Sequence, residues 1–139
     1  MKVMIKVFSI FVLLIMAVSC ATTPSTLTEK YNLDNDLEAI NKINIPKVSS
    51  WEQVDNQSII LRTNWNDYYL LVLRRPINRM VSGLSIGISS TAFSITSGYD
   101  RIFVNDTPFT EYYVIDKIYK LKGKEQAEEI KERLRKKRD

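Results

Sequence analysis

SIILRTNWNDYYLLVL, residues Ser58–Leu73, is the stretch that decides the fold. Its two apolar runs, Ser58–Thr63 and Asp67–Leu73, are rich in the β-branched and aromatic residues that favour strands. Between them, Asn64-Trp65-Asn66-Asp67 supplies turn-forming residues. The stretch therefore predicts a β-hairpin.

Further strands are predicted after the hairpin. Leu84–Ser89 alternates apolar and small residues, and Ala92–Ser97, with Phe93 on its apolar face, is its expected partner. Arg101–Val104 and Tyr112–Leu121 bring the total to about six strands. Short antiparallel strands in this number predict an α+β, mainly antiparallel β domain, folded as a small, strongly bent sheet or partly open barrel.

A helix is predicted at each end of this strand region. Asn32–Asn44 has apolar residues on one helical face (Leu33, Leu37, Ile40 and Ile43), which predicts a short N-terminal helix that Pro46 ends. Residues 122–139 begin acidic and end basic, an order that complements a helix dipole, and predict a solvated, charged C-terminal helix or tail. Trp51 is expected in the core.

The first twenty residues are typical of a bacterial lipoprotein export signal. Lys2 and Lys6 precede an uncharged stretch, Val7–Val18, that is short for a membrane-spanning helix. Ala17-Val18-Ser19-Cys20 resembles a lipobox, and Cys20 is the only cysteine of the chain. Cleavage before Cys20 and its lipidation are the favoured interpretation. A plain secretory signal and an uncleaved anchor helix stay open as alternatives.

This interpretation sets the expected organisation of the chain. Residues 1–19 form the signal peptide, 20–31 a lipidated tether, 32–121 a single small β-rich domain and 122–139 the charged helix or tail. Ala21, where an Asp would favour retention in the inner membrane, points to the periplasmic face of the outer membrane. The expected partners are the membrane, through the lipid anchor, and an envelope protein or peptidoglycan.

Several kinds of chemistry are disfavoured by composition. The chain has no histidine, and its single cysteine is assigned to the lipid, so a Ser-His triad, a thiolate nucleophile and histidine or thiolate metal sites are excluded. Four glycines form no phosphate-binding loop. Residues 20–121 are nearly neutral, with ten basic and eleven acidic side chains. We therefore expect no enzyme activity, no cofactor, no metal and no nucleic-acid partner.

A few side chains remain as candidate contacts for a ligand. Trp65 lies in a polar turn beside Tyr68, and Arg74 and Arg75 begin the basic cluster of the domain. The alternative for the arginines is an ordinary solvated loop. Asp100 is expected to direct the chain into the strand that follows it. Three functions stay open, in this order: a binding or scaffolding protein, a small-molecule or glycan-binding module, and a carboxylate-dependent hydrolase that uses Asp100.

The segment Ile43–Leu121 also resembles a family of short proteobacterial lipoproteins of unknown function. The resemblance rests on the following residues: Trp51, Val54-Asp55, Ser58–Leu61, Tyr69–Leu73, Ile86–Ile88, Asp100–Val104, Ile115 and Ile118. It implies this fold and an envelope location, and it supplies no activity. The resemblance implies that relatives carry two cysteines at the positions where this chain has Ile77 and Tyr113. Their joint replacement favours a structural role over a redox role.

Overall fold

The fold is built around the predicted hairpin, as a computed structural model shows for residues 29–44, 47–63, 67–77, 85–90, 93–106 and 109–137. These residues contain nine strands and the C-terminal helix: β1 (Glu38–Ile40), β2 (Lys42–Asn44), β3 (Ser50–Gln53), β4 (Ser58–Arg62), β5 (Tyr68–Leu73), β6 (Ser85–Ile88), β7 (Ser94–Thr96), β8 (Arg101–Asp106), β9 (Phe109–Leu121) and α1 (Lys124–Lys136). The hairpin is confirmed as the antiparallel pair β4–β5.

One long strand, β9, organises the main sheet. The strand order is β3-β4-β5-β9-β8-β6, and β1 also pairs with β9. The first half of β9 pairs with β8, and the second half pairs with β5 and β1. Because neighbouring strands share different halves of β9, the sheet curls strongly into a half-barrel, as the predicted bent sheet or partly open barrel requires.

A β-bulge in β9 explains why its sequence does not alternate cleanly. Val72 pairs with Lys117, whereas the next residue, Leu73, pairs with Ile115, so Asp116 is the extra residue. The bulge brings Ile115 and Ile118, three positions apart, to the same core cluster.

The central strands are buried on both faces, which accounts for their continuous apolar runs. The inner cluster lies in the curl of the sheet and contains Ile43, Ile59, Leu61, Leu71, Leu73, Ile77, Ile95, Ile102, Val104, Tyr113, Ile115 and Ile118. The outer cluster lies between the sheet, α1 and the segment 31–37 and contains Tyr31, Leu33, Leu37, Val54, Ile60, Leu70, Val72, Tyr119, Leu121, Ala127, Ile130 and Leu134.

A two-stranded ribbon lies on the inner side of the sheet. Strands β2 and β7 pair antiparallel, with Ile43 opposite Ile95. Both isoleucines are buried in the inner cluster. The ribbon is held to β9 at one end, since the Gly98 amide donates a 2.7 Å hydrogen bond to the Ile115 carbonyl.

The C-terminal helix is confirmed, but it is part of the core and not a solvated appendage. Its stripe Ala127, Ile130 and Leu134 is buried in the outer cluster. Lys131 is buried as well, and its ammonium group pairs with Glu52 at 3.0 Å and with Glu128 at 2.5 Å. A narrow apolar stripe is enough for docking because the neighbouring lysine and arginine side chains bind acceptors on β3.

The predicted N-terminal helix over Asn32–Asn44 is wrong, since this segment holds β1 and β2. Its apolar residues do not share one face: Leu33 and Leu37 enter the outer cluster, whereas Ile43 enters the inner one. Pairing of 38–40 with β9 and of 42–44 with β7 overrides the helical spacing. Tyr31, just before this segment, is also buried in the outer cluster.

Three smaller expectations are corrected. The strand at 85–88 pairs with β8, and β7 pairs with β2, so they are not partners of each other. Phe93 is 77% exposed, because its left-handed backbone (φ 59°) turns it out of the alternation of β7. Trp51 is 37% exposed and not in the core, since β3 is the last strand of the sheet.

Candidate functional site

Among the predicted ligand contacts that the structure describes, Tyr68 lies apart from Arg74 and Arg75. Tyr68 begins β5, whereas Arg74 and Arg75 follow its end. At about 3.3 Å per residue, the six steps from Tyr68 to Arg74 correspond to about 20 Å. Trp65 and the predicted lipidation site, Cys20, lie outside the described residues.

Tyr68 is engaged by the fold itself. It is half-buried against the outer cluster. Its cross-strand partner is Arg62, whose guanidinium carbon lies 5.7 Å from the centre of the Tyr68 ring. This is the geometry of a cation–π pair, which stabilises the turn end of the hairpin.

Arg74 and Arg75 attach the chain to β9 just after β5 ends. The Arg74 side chain forms a 3.2 Å ion pair with the bulged residue Asp116, and both are exposed. Arg75 donates a 3.1 Å hydrogen bond to the Tyr112 carbonyl, and its guanidinium lies 4.6 Å from the centre of the Tyr113 ring. These contacts place the two arginines beside the first half of β9.

Next to them, the sheet carries aromatic side chains on its outer face. In register, Gly87 of β6 lies opposite Phe103 of β8, and Phe103 lies opposite Tyr112 of β9. The Phe103 ring covers Gly87 so closely that a Cβ atom there would lie 1.9 Å from its Cζ. The Phe103 and Tyr112 ring centres are 6.2 Å apart with a tilt of 48°. Such a tilted pair is an attractive ring arrangement.

We call this surface the open face; its members are Gly87, Arg101, Phe103, Tyr112 and Val114. Arg101 and Val114 are register partners on the same side as the rings. Tyr112 is 54% exposed, and Phe103 is partly buried. The helix α1 covers the other half of this side of the sheet, against β5 and the second half of β9. The open face is therefore an apolar and basic surface suited to binding.

The buried carboxylate Asp55 serves the fold. One of its oxygens accepts hydrogen bonds from Lys30 Nζ (2.7 Å) and the Tyr31 hydroxyl (2.8 Å). The other accepts from the Gln57 amide (2.9 Å) and the Ser58 hydroxyl (2.7 Å). Burial raises the pKa of Asp55, but these four donors outweigh it, so its pKa lies below the ordinary value.

Asp100 is also held inside its own turn. Its carboxylate accepts a 2.7 Å hydrogen bond from the Thr96 amide and a longer one, 3.4 Å, from the Ser89 hydroxyl. The Ser89 hydroxyl in turn accepts from the Arg101 amide at 2.8 Å. Asp100 thus orders the entry into β8, as the sequence predicts.

The resemblance implies cysteines at the positions of Ile77 and Tyr113. Ile77 and Tyr113 are both buried in the inner cluster. The Tyr113 hydroxyl donates a short hydrogen bond to the Glu111 carboxylate. These two positions therefore hold an apolar side chain and a hydrogen-bonded phenol.

Sequence reasoning missed the open face as a unit. Its aromatic residues stand in the sequence among others that are core, and only the register of β6, β8 and β9 brings them together. The available signal was Gly87 within an alternating strand, because a glycine there often marks a close approach by a neighbour.

Comparisons with known proteins give one match. The model of a family of unknown function, DUF6491, matches residues 2–137. Neither the curated proteins nor the solved structures contain a match to this chain. In the described part of the chain, no helix has the length and apolar character needed to cross a membrane.

Proposed function

The chain belongs to the family of unknown function DUF6491, and from that premise we propose that it is a lipid-anchored protein of the bacterial cell envelope. In this proposal it faces the periplasm and binds or scaffolds another envelope component without catalysing a reaction. The partner is an envelope protein or peptidoglycan.

The export signal supports the proposed location. Its basic start, its short apolar stretch and the lipobox-like Ala17–Cys20 are the features of a lipoprotein signal. The resemblance to short proteobacterial lipoproteins agrees with it, and Ala21 favours the outer membrane. Several acyl chains on Cys20 would make the attachment effectively permanent, because each buried methylene contributes about 0.8 kcal/mol.

The open face is the observation that carries the binding role. Tyr112 presents more than half of its surface to solvent beside Phe103 and the basic Arg101. Aromatic and arginine side chains are enriched where proteins bind one another. In contrast, the buried carboxylates Asp55 and Asp100 already hold hydrogen bonds from the fold. These contacts support recognition over catalysis.

Incorporation of a labelled fatty acid tests the anchor. We expect label and membrane fractionation for the wild type, and neither for Cys20→Ser. Label in the variant, or an unlabelled wild type in the soluble fraction, would contradict lipid anchoring.

Photo-crosslinking in intact cells tests the binding surface. A crosslinking amino acid at position 112 should give a discrete adduct with an envelope protein. The matched control is position 125, which is exposed on α1. Equal adducts from both positions, or none from position 112, would argue against the open face as a protein-binding surface.

A small-molecule or glycan-binding module is the second candidate. The tilted Phe103–Tyr112 ring pair favours it, since exposed rings can stack on the apolar face of a sugar. Binding of peptidoglycan fragments that is lost in Tyr112→Ala, with the fold retained, would support this candidate. Retained binding in that variant would remove it.

A further inference from the structure

The β2–β7 ribbon carries the two most exposed large hydrophobic side chains of the described residues. Phe93, directly before β7, is 77% exposed, and Tyr99, in the turn after it, is 82% exposed. They flank a three-residue strand whose middle residue, Ile95, is buried in the inner cluster. The ribbon is thus fixed to the core by one side and presents aromatic rings beside the other.

Phe93 holds its exposed position with an unfavourable backbone. Its φ of 59° lies in the left-handed region, which suits glycine, asparagine or aspartate and is unusual for a bulky residue. The ring gains little from burial in return. Strained residues of this kind collect at functional sites. The exposed ring therefore points to a contact outside the domain.

Tyr99 is presented by a rigid turn. The Asp100 carboxylate accepts from the Thr96 amide at 2.7 Å, and the Asp100 amide donates to the Thr96 carbonyl at 3.0 Å. Gly98 supplies the positive φ (80°) that the turn requires, and its amide bonds to β9. A turn fixed in this way loses little further freedom when Tyr99 binds a surface.

The charge of the ribbon indicates the kind of surface to which it would bind. The described residues of the ribbon and of the chain next to it, 41–44, 47–48, 89–90 and 93–99, contain two lysines, Lys42 and Lys47, and no aspartate or glutamate. Both lysines are exposed. Aromatic rings together with lysines and without carboxylates are typical of segments that lie at the level of phospholipid headgroups.

We infer that the ribbon rests on an anionic phospholipid bilayer, with Phe93 and Tyr99 in the interface and Lys42 and Lys47 against the headgroups. This inference rests on the proposed lipid anchor. The ten steps of chain from Cys20 to Lys30 reach at most about 35 Å. Packed layers of a domain are about 10 Å apart, so the tether is longer than the distance between two layers. The ribbon side of the domain can therefore lie on the membrane that holds the anchor.

Tryptophan probes in the full, lipidated protein test the inference. The variants Phe93→Trp and Glu125→Trp place a probe on the ribbon and on α1, on the opposite side of the sheet. The protein is reconstituted on vesicles of phosphatidylcholine and phosphatidylglycerol that include brominated lipid. We expect a blue shift and loss of the added emission for position 93, and neither for position 125. Lys42→Glu with Lys47→Glu should reduce the loss at position 93.

The outcomes separate the inference from the proposed anchor. Equal emission changes at positions 93 and 125, in protein that floats with the vesicles, would overturn the ribbon contact and leave anchoring intact. Wild-type protein that does not float would overturn the anchor and the inference with it.

A second variant tests whether Phe93 stabilises the fold instead of contacting the membrane. Phe93→Asn fits the left-handed backbone and removes the ring. We expect the midpoint of urea unfolding to be unchanged or higher. A Trp probe introduced by Tyr99→Trp reports on the ribbon. In the chain that also carries Phe93→Asn, vesicles should protect this probe less from a soluble quencher. A lower unfolding midpoint with unchanged protection would assign Phe93 to the fold and overturn the inference.

Discussion

The Tyr119 hydroxyl lies 2.8 Å from the Tyr31 carbonyl oxygen and donates a hydrogen bond to it. The Tyr119 hydroxyl oxygen also lies 2.9 Å from Asp34 Oδ1, and it accepts a 3.3 Å hydrogen bond from the Leu33 amide. Because Tyr119 lies on β9, these contacts fasten the segment 31–34 to the central strand of the sheet. The segment 31–34 is therefore tied to the middle of the domain.

Tyr119→Phe should loosen this segment. Loss of the buried hydroxyl removes the donor that the Tyr31 carbonyl and the Asp34 carboxylate share, and the acceptor of the Leu33 amide. This should cost about 1–2 kcal/mol of the free energy of unfolding. Urea unfolding measures the loss, and faster hydrogen exchange at the Leu33 amide localises it. Tyr99→Phe, at an exposed position, is the control. A loss of the same size in the control would show that the segment 31–34 is not specifically held by Tyr119.

Asp55→Asn should destabilise the protein by about 3 kcal/mol, because it leaves the largely buried Lys30 ammonium without its counter-charge. Asp116→Asn breaks an exposed ion pair and should cost at most about 0.5 kcal/mol. Urea unfolding of both variants at neutral pH makes the comparison. Similar losses in the two variants would contradict the assigned importance of the buried pair.

The same carboxylate should make stability depend on acid pH. The pKa of Asp55 is lower in the folded protein than its ordinary value of about 3.9. Its contribution is therefore complete above that value and is lost as the pH falls through it towards the folded pKa. The free energy of unfolding, measured between neutral and strongly acidic pH, should fall more steeply for the wild type than for Asp55→Asn. Parallel curves would disprove the lowered pKa.

Leu134→Ala should cost about 3 kcal/mol, since Leu134 is fully buried in the outer cluster. The exposed neighbour Lys136 provides the control, and Lys136→Ala should change stability by no more than about 0.5 kcal/mol. Thermal or urea unfolding distinguishes the two. A small effect of Leu134→Ala would mean that α1 contributes little to the core.

Gly87→Ala should push the Phe103 ring away from the strand, because the new methyl group would overlap it. Overpacking of this kind costs about 1–3 kcal/mol. Phe103→Ala in the same chain should relieve most of the overlap, so the double variant should be less destabilised than the sum of the single ones. A double-variant cycle of urea unfolding measures this coupling, and additive losses would refute the close contact.

The sequence was a good guide where local signals agree with the fold. The run Ser58–Leu73 combines strand residues with a turn, and it forms β4–β5. It was a poor guide where distant pairing decides. Leu33, Leu37 and Ile43 have helical spacing but divide between the two sides of the sheet, because β9 and β7 pair with residues 38–44.

The candidate surface was harder to predict for the same reason. Phe103 and Tyr112 are nine positions apart, and Gly87 is sixteen positions before Phe103. Only the pairing of β6 with β8, in place of the expected pairing with the strand at 94–96, sets them in one row. Arg74 and Arg75, which the sequence indicated by their charge, lie beside the row of Gly87, Phe103 and Tyr112. Tyr68 lies at the other end of β5.

The contacts of Arg135 have a consequence for solubility. This side chain donates to the Gln53 and Val54 carbonyls, each at 3.3 Å, at the end of the outermost strand β3. The unpaired backbone of an outermost strand can recruit a strand from another molecule. A charged guanidinium on those carbonyls hinders such recruitment. The helix α1 therefore also hinders aggregation through β3. This protection is important because the proposed anchor would concentrate the protein on a membrane.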